Sequence, residues 1–144
     1  MHDTLMVACP HCGAANRVPA ARIGENPGCG RCKAPLFEGR PAEVDAARLD
    51  ALIARSDVPV VVDFWAPWCA PCRMMAPAFE QAARTLEPRY RLVKVNTEEQ
   101  QALAARFGIR SIPTVAVFSA GREVARQSGA MDAGTLVRWI QASA

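Results

Sequence analysis

Six cysteines fall into three Cys-x-x-Cys pairs: Cys9/Cys12, Cys29/Cys32 and Cys69/Cys72. Such pairs serve metal coordination, structural disulfides or thiol–disulfide exchange, and the flanking residues separate these uses. The third pair lies in Phe64-Trp65-Ala66-Pro67-Trp68-Cys69-Ala70-Pro71-Cys72. An apolar run, Val58-Pro59-Val60-Val61-Val62, precedes it, and Arg73 to Phe79 reads as a helix after it. A strand that stops at a turn and enters a helix sets Cys69 beside unpaired N–H groups and the positive end of the helix dipole. Both favour thiolate, the nucleophilic form, so Cys69 is expected to react near neutral pH. Cys72, one turn inside, can attack the resulting mixed disulfide and close Cys69–Cys72, with Pro71 stiffening the turn. An isolated pair of this kind can also be half of a metal site. Here the other four cysteines match each other and leave no partner for it.

Those four lie in Cys9-Pro10-His11-Cys12-Gly13 and Cys29-Gly30-Arg31-Cys32-Lys33. Their spacing suits a four-cysteine zinc site. Two intervening residues let a tight turn aim both sulfurs at one metal, and Gly13 and Gly30 are expected to supply positive φ. Four thiolates make a closed site, structural rather than catalytic. Val18, Ile23, Leu36, Phe37 and a few alanines cannot hold residues 1–40 folded, so metal binding is expected to supply most of that stability. Two disulfides in an exported protein is the competing reading. His11 could also replace a cysteine, but four sulfurs satisfy zinc and His11 reads as an exposed knuckle residue. Five basic against three acidic residues, with Phe37 the sole aromatic, give residues 1–40 no platform for nucleic acid.

The elements that position these groups follow from periodicity. Asp45 is expected to cap an amphipathic helix through Ile53, and Val60 to Trp65 to form a central strand apolar on both faces. The helix from Ala70 carries Met75, Phe79, Ala82 and Leu86 on one stripe, with Pro77 expected to kink it and Pro88 beyond its end. Leu92 to Asn96 is a second strand, and Thr97 with Gln100 reads as the capping box of a helix closed by Gly108. Ile112 to Phe118 reads as a strand, Ala120-Gly121 as a turn into Arg122–Gly129, and Asp132 as the cap of a last helix with Leu136, Val137 and Ile140. The sum is an α/β sandwich. Glu38-Gly39-Arg40-Pro41 reads as a linker between residues 1–40 and 41–144. Asp63, inside the buried strand, is costly unless it titrates or finds a partner, and Lys94 on the next strand is its expected neighbour. A solvated strand end for Asp63 and a surface position for Lys94 stay open.

With 144 residues, 51% hydrophobic and 22% charged, the chain holds one ordinary domain and a small appendage. A net charge of +3 is too small and dispersed to attract nucleic acid. Leu5-Met6-Val7-Ala8 is too short for a signal-peptide core, and no apolar stretch approaches the ~18 residues of a membrane span. The expectation is a cytoplasmic monomer.

The run Trp65 to Cys72, together with Asp63, Pro77, Pro113 and Gly129 in matching order, resembles the thioredoxin family from about residue 44 onward. The added amino-terminal module resembles that of the zinc-binding thioredoxin 2 type. The resemblance implies a thioredoxin fold, a central mixed sheet flanked by helices, behind a zinc ribbon. It implies a protein-disulfide reductase with Cys69 as nucleophile and Cys72 as resolving thiol, recharged by an NADPH-dependent, flavin-containing thioredoxin reductase. Asp63 would exchange a proton with Cys72, its pKa raised by burial. Pro113 would be cis and face the disulfide, and the backbone before it would pair with an extended substrate. Trp68, Ala70, Pro71, Ile112, Gly129 and Ala130 would form the substrate-binding surface, Gly129 leaving room for the partner. Trp65 reads as packing and Trp68 as part-exposed. Zinc on Cys9, Cys12, Cys29 and Cys32 would be the one cofactor, with no organic group. Ala70 departs from the usual glycine and Arg73 from the usual lysine; the first puts the redox potential in doubt. A zinc-dependent redox sensor or docking protein, or a disulfide oxidase or isomerase, are the alternatives.

Overall fold

The computed structural model describes residues 3–144. Strands β1 (Thr4–Ala8) and β2 (Ala15–Pro19) form an antiparallel hairpin, followed by a single 3-10 turn, Ala20–Arg22. The larger unit runs β3 (Ala42–Glu43), α1 (Ala46–Arg55), β4 (Val60–Trp65), α2 (Ala70–Leu86), β5 (Arg91–Asn96), α3 (Gln101–Arg106), β6 (Thr114–Ser119), β7 (Arg122–Ser128) and α4 (Ala133–Ser143). Its sheet has the order β3-β5-β4-β6-β7, with β3 and β4 parallel to β5, and β6 antiparallel to both β4 and β7.

β4 is central, which explains its continuous apolar run: helices cover both faces. Val60, Val62 and Phe64 pack with Leu49 and Leu52 of α1 and Leu103 of α3. Val61 points the other way, into Met75 and Phe79 of α2 and Leu136 and Ile140 of α4. Strand alternation therefore puts Asp63 and Trp65 on the α2 side of the sheet. The caps expected at Asp45 and Asp132 are present, their carboxylates accepting from the N–H of Arg48 and Thr135. Ala120 and Gly121 both take positive φ, as the tight β6–β7 hairpin requires.

Several expectations need correction. Thr97 does not cap α3: its hydroxyl donates to the Trp65 carbonyl, and the helix starts at Gln101 without a side-chain cap. Asn96 instead accepts from the N–H groups of Glu98 and Glu99, so an Asx-type turn delays the helix. β6 begins at Thr114 rather than Ile112, and β7 ends at Ser128 rather than Gly129. In the second knuckle the left-handed residue is Lys33 (φ +70°), matching Gly13 (φ +79°) in the first; Gly30 is not in that region.

The hairpin module is docked on the larger unit. Val7, Val18, Leu36 and Phe37 pack with Val58, just ahead of β4. Met6 exchanges hydrogen bonds with Asp57, Arg48 Nε donates to the His11 carbonyl at 2.9 Å, and Gly39 N donates to Glu87. The apolar groups of residues 4–37 thus share a core with the larger unit, where the sequence left metal as their main support. The expected linker is held at its first residues, with Glu38 2.9 Å from His11 Nε2 and Gly39 bonded to Glu87.

Candidate functional site

The carboxyl end of β4 delivers the turn Ala66–Cys69 to the first residue of α2. Cys69 is the N-cap, extended at φ −87° and ψ 112°, and its sulfur accepts from the Cys72 N–H at 3.2 Å. Pro71 occupies the first turn of α2, where its missing N–H costs no helical bond. Cys69 and Cys72 are joined by a disulfide with a Cα–Cα distance of 5.2 Å. Both are covered, 5% and 2% exposed, by Ala66, Trp65 and Ile112. Cys69 is therefore less open than its place at a helix end suggests; Ala70 and Pro71 between the cysteines are exposed, as are Pro67 and Trp68 before them. Trp68 stands out from the surface at 66% exposure, and so does Met74 at 77%, which the sequence did not single out.

Ile112 and Pro113 approach from the loop before β6. Their peptide bond is cis, the Ile112 carbonyl lies 3.7 Å from Cys69 Sγ, and Pro113 is buried. Gly129 closes the opposite side, its N–H donating to the Pro113 carbonyl at 2.9 Å. Its φ of +97° favours glycine, and the space a Cβ would take is open. Ala130 beside it is exposed. The chain thus brings Cys69, Cys72, Ile112, Pro113 and Gly129 together, while Trp68 projects from the outer side of the turn.

On the α2 face of β4, Asp63 is wholly buried, and neither carboxylate oxygen has a hydrogen-bond partner. Burial pushes its pKa up to about 7; Lys94 draws it down and Glu43 pushes it further up. Lys94 is its register partner on β5, half-buried, with Nζ 4.4 Å from the centre of the Trp65 ring. Burial excludes the solvated strand end for Asp63, and Lys94 lies part-way between core and surface. Trp65 packs against the cysteines as expected but is also tied, its Nε1 donating to both oxygens of Glu43 at 3.1 Å. Glu43 escaped sequence reading because a two-residue edge strand has no periodicity to detect.

At the far end of β4 and β5 lies the cysteine quartet. Its four sulfurs lie within 4.8 Å of one another, with Cys9–Cys32 at 3.6 Å and Cys12–Cys29 at 3.7 Å. Tetrahedral coordination at a zinc–sulfur bond of about 2.3 Å needs sulfurs about 3.8 Å apart, so the donors fit that ion. The knuckles repeat one hydrogen-bond pattern: Gly13 N to the Cys9 carbonyl and Lys33 N to the Cys29 carbonyl, His11 N to Cys9 Sγ and Arg31 N to Cys29 Sγ. Asn16 Nδ2 adds a donor to Cys29 Sγ at 3.5 Å. Backbone donation from Cys32, assisted by Asn16, lowers the Cys29 thiol to about 6, whereas burial pushes Cys9 up to about 12. A divalent cation shared by all four sulfurs would favour thiolate at each. His11 is exposed and pairs with Glu38, outside the quartet.

Arg91, a second residue the sequence did not mark, joins the two units. It is 2% exposed, its guanidinium 4.1 Å from the Phe37 ring centre, 3.4 Å from the Ala8 carbonyl and 3.9 Å from Glu87. Glu87 accepts from Gly39 N and Leu92 N, both at 3.1 Å. The Glu87/Arg91 spacing of four residues was visible, but Glu87 ends α2 and Arg91 opens β5, so helix rules did not apply.

The comparisons agree with this geometry. The family model described as Thioredoxin matches residues 40–142, and that described as Thioredoxin 2, N-terminal, a zinc ribbon, matches residues 8–34. Thioredoxin C-3 of Corynebacterium nephridii is 40% identical over 136 residues, covering 94% of this chain and 93% of that relative. Thioredoxin 1 of a Nostoc species is 44% identical over 100 residues, 69% of this chain and 94% of its own. A mutant thioredoxin from Halobacterium salinarum superposes with a TM-score of 0.66 at 31% identity, covering 74% of this chain and 93% of that structure. The sheet, the helices on both its faces and the Cys69–Cys72 turn make up a thioredoxin fold behind a four-cysteine ribbon, and the chain belongs to the thioredoxin family of thiol–disulfide oxidoreductases.

Proposed function

We propose that this protein reduces disulfides in other proteins through Cys69 and Cys72 and is recharged by a flavin-dependent thioredoxin reductase drawing on NADPH. The observation that carries this reading is a disulfide at a helix N-terminus, with a buried, unpartnered carboxylate on the strand that leads into it. The Cys69 thiolate attacks a substrate disulfide, forms a mixed disulfide and releases one substrate thiolate. The Cys72 thiol passes its proton to the Asp63 carboxylate and attacks Cys69 Sγ. The Cys69–Cys72 bond forms, the mixed disulfide breaks, and the second substrate thiolate leaves. Two electrons pass from the dithiol to the substrate. With a pKa near 7, Asp63 can take and return that proton at neutral pH. Lys94 offsets its charge when ionised. An extended substrate segment lies against the backbone before Pro113, with Trp68, Ala70, Pro71, Ile112, Gly129 and Ala130 around it, the open space over Gly129 admitting its chain.

Residues 1–40 act as a zinc module and residues 41–144 as the redox domain. Cys9, Cys12, Cys29 and Cys32 hold the ion, which ties the two knuckles together and has no open position for chemistry. The proposed setting is a reducing cytoplasm, where the four ribbon thiols stay unoxidised. Among the described residues no helix is long and apolar enough to cross a membrane.

The deciding experiment is disulfide-reductase turnover with NADPH and thioredoxin reductase, comparing the intact protein with Cys69→Ser. Turnover that depends on Cys69 supports the reductase. A reducible Cys69–Cys72 disulfide without turnover would point to another electron donor or to oxidase or isomerase work. A second reading, a metal-dependent sensor or docking module, is favoured by the burial of Arg91 between the ribbon and β5. Partner binding or activity that disappears on chelation, with the disulfide chemistry intact, would establish it.

A further inference from the structure

The acid–base pair Asp63/Lys94 has a third member. β3 and β4 flank β5 on its two sides, and both Glu43 and Asp63 lie in register with Lys94. Direct register on parallel strands puts the three side chains in one row on the α2 face, in the order carboxylate, ammonium, carboxylate. The row closes on itself through Trp65. That indole donates to Glu43, lies under the Lys94 ammonium, and packs against Cys69 and Cys72.

We propose that Glu43 is a positioning residue for disulfide exchange: it anchors Trp65 and competes with Asp63 for Lys94, and so sets how readily Asp63 exchanges a proton with Cys72. The proposal rests on the proton-transfer reading of Asp63. One ammonium serves two carboxylates, and whatever draws Lys94 toward Glu43 withdraws support from the Asp63 carboxylate. The two acids differ in setting. Asp63 is sealed, whereas Glu43 is exposed on the edge strand, in a cleft of about 470 Å³ shared with Trp65, Asn96 and Glu99. The cleft has room for several waters, so Glu43 meets solvent while touching the row that ends at Asp63. Crowding around its carboxylate holds the Glu43 pKa above the ordinary glutamate value; the Trp65 bond and Lys94 pull it back, and Glu99 across the cleft pushes it up. Lys94 and Glu43 are the charged groups that act on Asp63, and Val115, its register partner on β6, carries none.

Glu43→Gln and Glu43→Ala separate charge from anchoring, since glutamine keeps an acceptor for Trp65 Nε1 and alanine does not. In the zinc-loaded full-length protein, carbon-13 NMR follows the Asp63 carboxyl through its titration. Glu43→Gln should lower the Asp63 midpoint by about half a pH unit, a charge effect reduced by the solvent around Glu43. It should leave Trp65 fluorescence near wild type, while Glu43→Ala changes both. The inflection near pH 7 in the disulfide-reduction profile should move down with the midpoint. An Asp63 midpoint unmoved in Glu43→Gln overturns the proposal. A wild-type inflection that survives in Asp63→Asn instead removes the proton-transfer reading, and the role of Glu43 with it.

Discussion

The ribbon pairs and the redox pair share the spacing Cys-x-x-Cys, yet the structure uses that spacing in opposite ways. In the ribbon, sulfurs of different pairs meet, Cys9 with Cys32 and Cys12 with Cys29, and all four lie within 4.8 Å of one another. At the α2 turn the sulfurs bond within the pair. Backbone makes the difference. Each ribbon pair is followed by a left-handed residue, Gly13 or Lys33, which folds a knuckle whose sulfurs face outward toward the other knuckle. Cys69 and Cys72 are followed by a helix, which turns both sulfurs to one side and offers N–H groups to Cys69. Ligand geometry comes from two turns, redox geometry from one helix end.

The sharpest break in the comparison is a pair of serine variants. Cys69→Ser should lower protein-disulfide reduction by about a thousandfold or more, because the nucleophile is lost, with metal content unchanged. Cys29→Ser should do the reverse: zinc by elemental analysis falls from one per chain to none, while turnover largely persists. Structural zinc sites of this kind contribute ~10–16 kcal/mol in isolated peptides, so amide protection over β1 and β2 should fall with the metal. Loss of turnover in Cys29→Ser would mean that the two regions are not separable.

The seam between them is the next target. Arg91→Ala removes a buried cation from Glu87 and a stacked group from Phe37 and should destabilise the protein by about 3 kcal/mol, read by denaturant unfolding. The loss should appear in the larger domain as well as the ribbon; a change confined to β1 and β2 would make the ribbon an independent unit.

Asp63 gives a stability effect of opposite sign. Its folded pKa of about 7 lies above the ordinary value of 3.8, so the folded state holds the proton more tightly. The stability contributed is present in full below about pH 4 and is lost as pH rises through 7. Asp63→Asn should therefore stabilise the protein by about 2–4 kcal/mol at pH 8 and by little at pH 4. Thermal unfolding at both pH values checks this, and equal effects at the two would place Asp63 in a more solvated setting. Trp68→Ala should have the smallest effect on the fold, within about 0.5 kcal/mol, because the side chain is exposed. Its effect should fall on KM for protein substrates.

Particular elements mark how far the sequence reaches. Helices capped by Asp45 and Asp132 were legible because a side-chain oxygen before an apolar stripe is a local signal, and the buried run of β4 because both its faces are covered. Thr97 failed because a capping box and an Asx-type turn compete for the same few residues, and local pattern does not weigh them. Pro113 and Gly129, far apart in the chain, acquired a shared place only through the resemblance; nothing near either residue shows that one bonds to the other.

By itself the sequence determined what depends on residue type and short spacing: three cysteine pairs, a cysteine at a helix start, an acid in an apolar strand and an α/β order of elements. Tertiary structure decided the rest. Register placed Glu43, Lys94 and Asp63 in one row, burial lifted Asp63 to about 7, and packing drove Arg91 between the ribbon and the sheet. The reason is physical: hydrogen-bonding turns and caps are settled within a few residues, whereas desolvation and charge pairing depend on neighbours that only the folded chain brings into contact.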